Sequence, residues 1–115
     1  MAYMLLIMEP HGQRDARGVD RGHEVYDRML EYTASLRKRG VLIASDSLRA
    51  DGARLNVRSG RRTVTDGPFA ESKELVGGFF LVDCQTREQA LALAAECPAA
   101  EWATIEVRET GPCYQ

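Results

Sequence analysis

The sequence predicts an α+β protein, one domain over residues 1–115, in the ferredoxin-like split β-α-β order with an inserted hairpin. Three observations carry this. Tyr3–Met8 and Gly78–Cys84 are short apolar runs of strand length, with large side chains on both alternating faces. Arg21–Arg39 and Arg87–Glu96 repeat apolar residues at helical spacing. Each of these helices lies between two strand patterns, and a polar hairpin separates the two β-α-β halves. With 115 residues, 44% of them hydrophobic, the chain can bury one core.

The first strand, YMLLIM, is ended by Glu9-Pro10-His11-Gly12, and Gln13–Asp20 is polar enough for a loop. The first helix is expected to start at Asp20 as N-cap. Val25, Met29, Tyr32 and Leu36 form its apolar stripe, and Glu24 can pair with Arg28 on the solvent side. Arg37-Lys38-Arg39 sits where the helix dipole favours cations, and Gly40 is the stop signal.

Val41–Ser47 is the second strand. Arg54–Arg58 and Arg62–Thr65 make a hairpin around Ser59-Gly60, with polar faces that suit a sheet edge. Asp66-Gly67-Pro68-Phe69 is a rigid turn, because Pro68 fixes φ and Gly67 is free to take a positive one. After Gly78–Cys84, Thr86-Arg87-Glu88-Gln89 has the form of a capping box. The second helix buries Ala90, Leu93, Ala94 and Cys97, and Pro98 stops it. In the last strand, Trp102–Glu109, the residues Ala103, Ile105 and Val107 alternate with Trp102, Thr104, Glu106 and Arg108.

Two right-handed crossovers put both helices on one face of the sheet. The opposite face would then expose the second apolar side of Tyr3–Met8 and Gly78–Cys84, a patch that soluble monomers seldom leave open. A second copy packed sheet to sheet would cover it, so the expected partner is the chain itself, as a homodimer.

Composition excludes several classes. Net charge is −2 and the basic residues are dispersed, which argues against direct nucleic-acid binding. No run approaches the length of a membrane span and no leader pattern is seen, so the expected location is cytoplasmic. Three widely spaced cysteines contain no CxxC, and no ligand set for a metal or cofactor is indicated. His23 and Asp27 are spaced i, i+4, which reads as a surface contact or as an oriented imidazole, and His11 is expected in solvent.

The candidate site is a pocket between the two sheets. Asp66 and Glu106 are its candidate acid–base pair, and Arg108 its anion anchor. Phe69 and Trp102 supply apolar walls, and Lys73 a further ligand-binding cation. The alternative for Asp66 is a turn cap, and for Glu106 and Arg108 a solvent-exposed pair at the strand end.

The stretch TVTDGPFAESKELVGGFFLVD resembles the DGPF signature of the YCII-related family, and the resemblance extends from YMLLIM to CPAAEWATIEVRETGPC. It implies a dimeric α+β barrel. For activity it implies a lyase resembling dehydrochlorinases with a His–Asp pair, but the helix position expected for that histidine holds Met29. DGPF proteins also resemble partners of extracytoplasmic-function sigma factors, which implies a non-catalytic regulatory module. A cofactor-free monooxygenase-type barrel is a third possibility.

The odd cysteine count predicts unpaired thiols at Cys84, Cys97 and Cys113. Thiol titration of denatured, non-reduced protein is expected to count all three. A native intrachain disulfide would overturn the reading.

Overall fold

In chain order the elements are β1 (Ala2–Pro10), α1 (Gln13–Arg17), α2 (Val19–Lys38), β2 (Leu42–Ser47), β3 (Ala53–Arg58), β4 (Arg61–Asp66), β5 (Glu74–Asp83), α3 (Arg87–Glu96), a 3-10 helix (Pro98–Glu101) and β6 (Thr104–Glu109). This is a computed structural model, and it describes residues 1–69 and 71–114. The fold is α+β. Four strands form one antiparallel sheet in the order β2-β5-β1-β6, and β3 and β4 form a separate two-stranded sheet.

The period of two along β1 sorts its side chains cleanly. Tyr3, Leu5, Ile7 and Glu9 are buried, whereas Met4, Leu6 and Met8 on the other face are half-buried. On β5, Phe80 and Val82 enter the core, and Phe79 and Leu81 stay half-buried on the open face. The core joins these inward residues to Tyr32 and Leu36 of α2 and to Ala90, Leu93 and Ala94 of α3. Both helices therefore cover the same face of the sheet. Leu5, Leu36 and Val82 are fully buried, each worth about 1.5–3 kcal/mol relative to exposure.

Helix ends follow local chemistry. Gly40 has φ 73°. Its N–H donates to the Arg37 carbonyl at 3.0 Å, and the Val41 N–H donates to the Leu36 carbonyl at 3.2 Å. That double bond pattern satisfies the last carbonyls of α2 and needs a residue tolerant of the left-handed region. At α3, the Gln89 N–H donates to Thr86 Oγ1 at 3.1 Å, and Gln89 Oε1 accepts from the Gln85 N–H at 2.7 Å.

Several local expectations are corrected. Gln13–Arg17 is a short helix rather than a loop, bounded by Gly12 and Gly18 at φ 77° and 81°. Gly18, not Asp20, caps α2, and Asp20 lies inside the first turn where its charge favours the dipole. Glu24 pairs with Arg21 at 2.7 Å, because Arg28 reaches across to Glu101 beside the 3-10 helix. Arg28 holds the Glu101 carboxyl below its ordinary range.

The hairpin does not sit on an edge of the main sheet. Its strands pair only with each other, and every residue of both is exposed, including Leu55, Val57 and Val64. Among the described residues neither face has an apolar surface of the body to lie on. The radius of gyration, 16.0 Å, exceeds the roughly 13 Å expected of a compact chain of this length, as an arm standing clear of the body requires. Ser59 and Gly60, at φ 51° and 75°, close the arm in a tight two-residue turn.

Cys84 and Cys97 are buried free thiols, with burial raising the pKa of each, and Cys113 is free and exposed. No helix is long and apolar enough to cross a membrane among the described residues.

Tyr32 ties α2 to α3. Its hydroxyl donates to the Leu93 carbonyl at 2.6 Å, and its ring meets Phe80 edge-on at 5.1 Å between centroids. Burial, the largest cause, raises its pKa well above the ordinary value. Above pH ~10 the unfolded chain loses the phenolic proton while the folded chain keeps it, so ionisation favours unfolding and stability falls as pH rises. Urea unfolding between pH 9 and 11 is expected to show this slope, and Tyr32→Phe to flatten it. An equal slope in the variant would refute the assignment.

Candidate functional site

The inward register of β1 places one carboxylate where apolar residues would be expected. Glu9 follows Tyr3, Leu5 and Ile7 on the core face and is only 5% exposed. A buried carboxylate is costly unless it is paired. Its partner comes from α1: Arg14 Nε lies 2.6 Å from Glu9 Oε1. The N–H is not aimed along that line, so Oε1 has charge compensation but no hydrogen bond. Arg14 spends its other nitrogens on backbone, donating from Nη1 to the Leu48 carbonyl at 2.7 Å and from Nη2 to the Gly77 carbonyl at 3.1 Å.

Gly77 makes this arrangement possible. Ile7 pairs with Gly78 and Met8 with Val76, so Gly77 is the extra residue of a β-bulge. The bulge turns its carbonyl to accept from both Arg14 and the Leu48 N–H. A side chain there would start 2.7 Å from the Glu9 carboxyl carbon and from Oε1, and 3.0 Å from Arg14 Nη2. Only glycine leaves room for the pair.

The pair borders a cavity of about 470 Å³ between α2 and the helix-covered face of the sheet. Ile7, Val25, Met29 and Phe80 make its apolar wall, with Tyr26, Thr33 and Trp102 around it. Arg17 is the second cation of the lining. It donates to Gln13 Oε1 at 3.0 Å and has no carboxylate partner among the described residues. Asp46, at the β2 side, is exposed and accepts from its own neighbour, the Ser47 N–H, at 3.0 Å. Trp102 is fixed on two sides. Gln13 Nε2 donates to its carbonyl at 2.6 Å, and the guanidinium carbons of Arg17 and Arg28 lie 5.7 and 5.5 Å from its ring centre. Such cation–π contacts favour an electron-rich, cation-lined wall.

A second cavity of about 320 Å³ lies on the other side of Glu9 and Arg14, lined also by His11, Asp15, Asp51 and Pro68. His11 is half-buried in the lining of that cavity rather than out in solvent. His23 is exposed on α2. Among the described residues no His, Cys, Asp and Glu cluster could hold a metal ion.

Of the candidate site residues Asp66, Phe69, Lys73, Trp102, Glu106 and Arg108, Trp102 alone lines the main cavity. It lies on the helix side, because β6 begins at Thr104 and the strand alternation does not reach it. Glu106 and Arg108 are exposed on the opposite face, paired across β1 with Leu6 and Met4. Asp66 is exposed at the base of the arm. Phe69 packs under Arg54, whose guanidinium carbon lies 3.7 Å from the ring centre. Lys73 is exposed, and its carbonyl accepts from the His11 N–H at 3.1 Å. Gly67 is not left-handed, and its peptide bond to Pro68 is cis. It is tightly placed instead, since a Cβ would fall 2.9 Å from Phe69 Cε2.

Glu9, Arg14 and Arg17 were missed. The signal for Glu9 was present, because the alternation that buries Tyr3, Leu5 and Ile7 continues to it. No equivalent signal marked Arg14 and Arg17, which lie in a polar stretch without periodicity.

The family model of the YCII-related domain matches residues 1–112. The chain belongs to the YCII-related family. It is also similar to an uncharacterized protein of Rhizobium meliloti (strain 1021), 43% identical over 58 residues, which are 49% of this chain and 47% of that protein. The match thus spans about half the length of this curated relative.

The close approach at Gly77 yields a test of sign. At an open strand position, Gly→Ala is expected to stabilise by about 0.5–1 kcal/mol. Here Gly77→Ala is expected to destabilise by ~1–3 kcal/mol in denaturant unfolding, because the new methyl displaces the ion pair. The effect should shrink in a Glu9→Ala background. A stabilised Gly77→Ala protein would contradict the packing described.

Proposed function

We propose that this YCII-related protein binds, or transforms, a small acidic or aromatic molecule in the cavity beneath α2, and that it does so as a homodimer. One observation carries the ligand reading: a largely apolar cavity of about 470 Å³ that also gathers Trp102, Tyr26, the uncompensated Arg17 and the Glu9–Arg14 pair. A pocket of that size, with few polar groups at fixed positions, suits a drug-sized or smaller organic ligand. Trp102 offers a flat face for an aromatic ring, and Arg17 a two-pronged contact for a carboxylate.

The strand order β2-β5-β1-β6, with both helices on one face, supports the ferredoxin-like split β-α-β reading. The open face supports the dimer. Met4, Leu6, Met8, Phe79 and Leu81 form its half-buried apolar centre, and Thr104, Glu106 and Arg108 lie along its β6 side. Packed about a two-fold axis, the same surface would cover itself and close the barrel. On this reading Glu106 and Arg108 belong to the subunit interface, and any part for them or for Asp66 in chemistry would be played there. Met29 contributes a thioether to the cavity where family resemblance looks for a histidine. A thioether transfers no proton at neutral pH, so dehydrochlorination by a His–Asp pair is not the favoured route.

Thermal unfolding with millimolar benzoate is expected to show a raised midpoint, and Arg17→Gln to remove most of the rise. If neither benzoate nor other small acids and phenols shift the midpoint, the sigma-factor-linked regulatory module becomes the better reading. Light scattering at micromolar concentration is expected to give twice the chain mass. Leu6→Asp should give monomer or aggregate, since it would bury an unpaired charge. A wild-type monomer would refute the dimer.

A further inference from the structure

The β3–β4 arm has two unlike faces. Its register puts Ala53, Leu55 and Val57 on one face with Arg62, Val64 and Asp66, and Arg54, Asn56 and Arg58 on the other with Arg61, Thr63 and Thr65. The polar face is the one that touches its own chain. At the base, Arg54 lies over Phe69, pairs with Glu71 at 3.2 Å and donates to Ser72 Oγ at 3.1 Å. The apolar face is turned the other way, and Leu55, Val57 and Val64 remain exposed on it. Three neighbouring apolar side chains aimed off the molecule mark a contact surface, unlike apolar residues scattered singly. Charge is segregated as well. Of the chain's 15 basic and 17 acidic residues the arm holds four and one, so the arm carries +3 and the rest of the chain −5. Arg58, Arg61 and Arg62 have no carboxylate partner among the described residues.

The open face of the main sheet is complementary to the arm. Strand pairing aligns Asp46, Phe79, Leu6 and Glu106 in one row across it, and Ala44, Leu81, Met4 and Arg108 in the next. Its apolar centre is thus bordered by an exposed carboxylate at each edge, Asp46 on β2 and Glu106 on β6. Neither has a cationic partner among the described residues. The chain is only 19 Å across its thinnest direction. The arm therefore runs out sideways within the layer of sheet and helices, and not up over α2, so a copy packed on the open face lies alongside it. We infer that the arm is a clasp for a second copy of this chain. It lays Leu55, Val57 and Val64 on the rim of that copy's open face, with Arg62 beside them and the tip arginines Arg58 and Arg61 toward the carboxylates that border the rim. This rests on the homodimer reading above, adds the arm to its interface and needs no ligand. Two arms packed on each other would cover the same apolar residues but oppose +3 with +3, and a polyanion on the arm would meet a body at −5. A second copy satisfies both the apolar face and the charge.

The test measures dimer affinity of the full-length chain by equilibrium sedimentation over a dilution series. Leu55→Ser, Val57→Ser and Val64→Ser combined are expected to weaken the dimer about tenfold or more. The three positions are exposed, so cooperative unfolding of the subunit should persist. Arg58→Gln, Arg61→Gln and Arg62→Gln combined are expected to weaken the dimer about threefold to tenfold at low salt and to flatten the salt dependence shown by the wild type. Hydrogen exchange on the wild type alone gives an independent reading. The amides of residues 53–66 are expected to exchange about tenfold more slowly at concentrations that populate the dimer than in the diluted monomer. Unchanged affinity in both variants would overturn the role of the arm and leave the dimer standing. A wild-type monomer at every concentration would overturn both readings. Arm amides that exchange equally fast in dimer and monomer would overturn the inference even if the variants failed to fold. Slowing seen only on addition of heparin would assign the arm to a polyanion and overturn it too.

Discussion

The ion pair between Glu9 and Arg14 is the constraint on which the cavity half of the molecule depends. A carboxylate at an inward strand position must be compensated or it unfolds the strand end. The compensation comes from a helix of five residues with almost no core of its own. Arg14 therefore does two jobs. It neutralises Glu9, and through the Leu48 and Gly77 carbonyls it fastens α1 to the ends of β2 and β5. The bulge at Gly77 is the backbone's half of the same bargain, since it presents the carbonyl and removes the side chain that would collide.

From that anchor the cavity follows. With α1 held down, Gln13 reaches the Trp102 carbonyl and Arg17 comes over the indole ring. Arg28 approaches the same ring from α2 while pairing with Glu101. Trp102 is thus the meeting point of α1, α2 and the 3-10 helix. The far end of the layer is packed quite differently. There Tyr32, Leu36 and Val82 are buried between α2 and the sheet, and Arg39 clips α2 to α3 through Glu96 at 2.8 and 3.1 Å. That surface pair contributes about 0–1 kcal/mol in solvent.

The two faces of the sheet divide the labour. The helix face carries the core and the cavity, whereas the open face carries a half-buried apolar centre of Met4, Leu6, Met8, Phe79 and Leu81. The β3–β4 arm belongs to neither. Its Leu55, Val57 and Val64 are exposed, with no surface of the described residues packed against them. The DGPF turn ties its base to the body through the Gly67 N–H, which donates to the Gly52 carbonyl at 2.7 Å, and through Arg54 over Phe69.

Local chemistry alone determined the strands, the two longer helices, the C-terminal end of α2 and the N-terminal end of α3. Alternation sorted β1 into its faces, the spacing of Val25, Tyr32 and Leu36 oriented α2, and Gly40 and Thr86 marked boundaries that the hydrogen bonds bear out. These signals are legible because they depend on neighbours within a few residues along the chain. The cavity was legible only in part. The turn at Asp66 and the alternation of Glu106 and Arg108 are equally local, and they drew the eye to the arm and the open face, but the large cavity lies beneath α2. Glu9 and Arg14, close together in the chain, meet Gly77 and Trp102 there from segments distant in sequence. Whether a buried charge is tolerated depends on a partner delivered by packing, and only the tertiary structure decides which partner arrives.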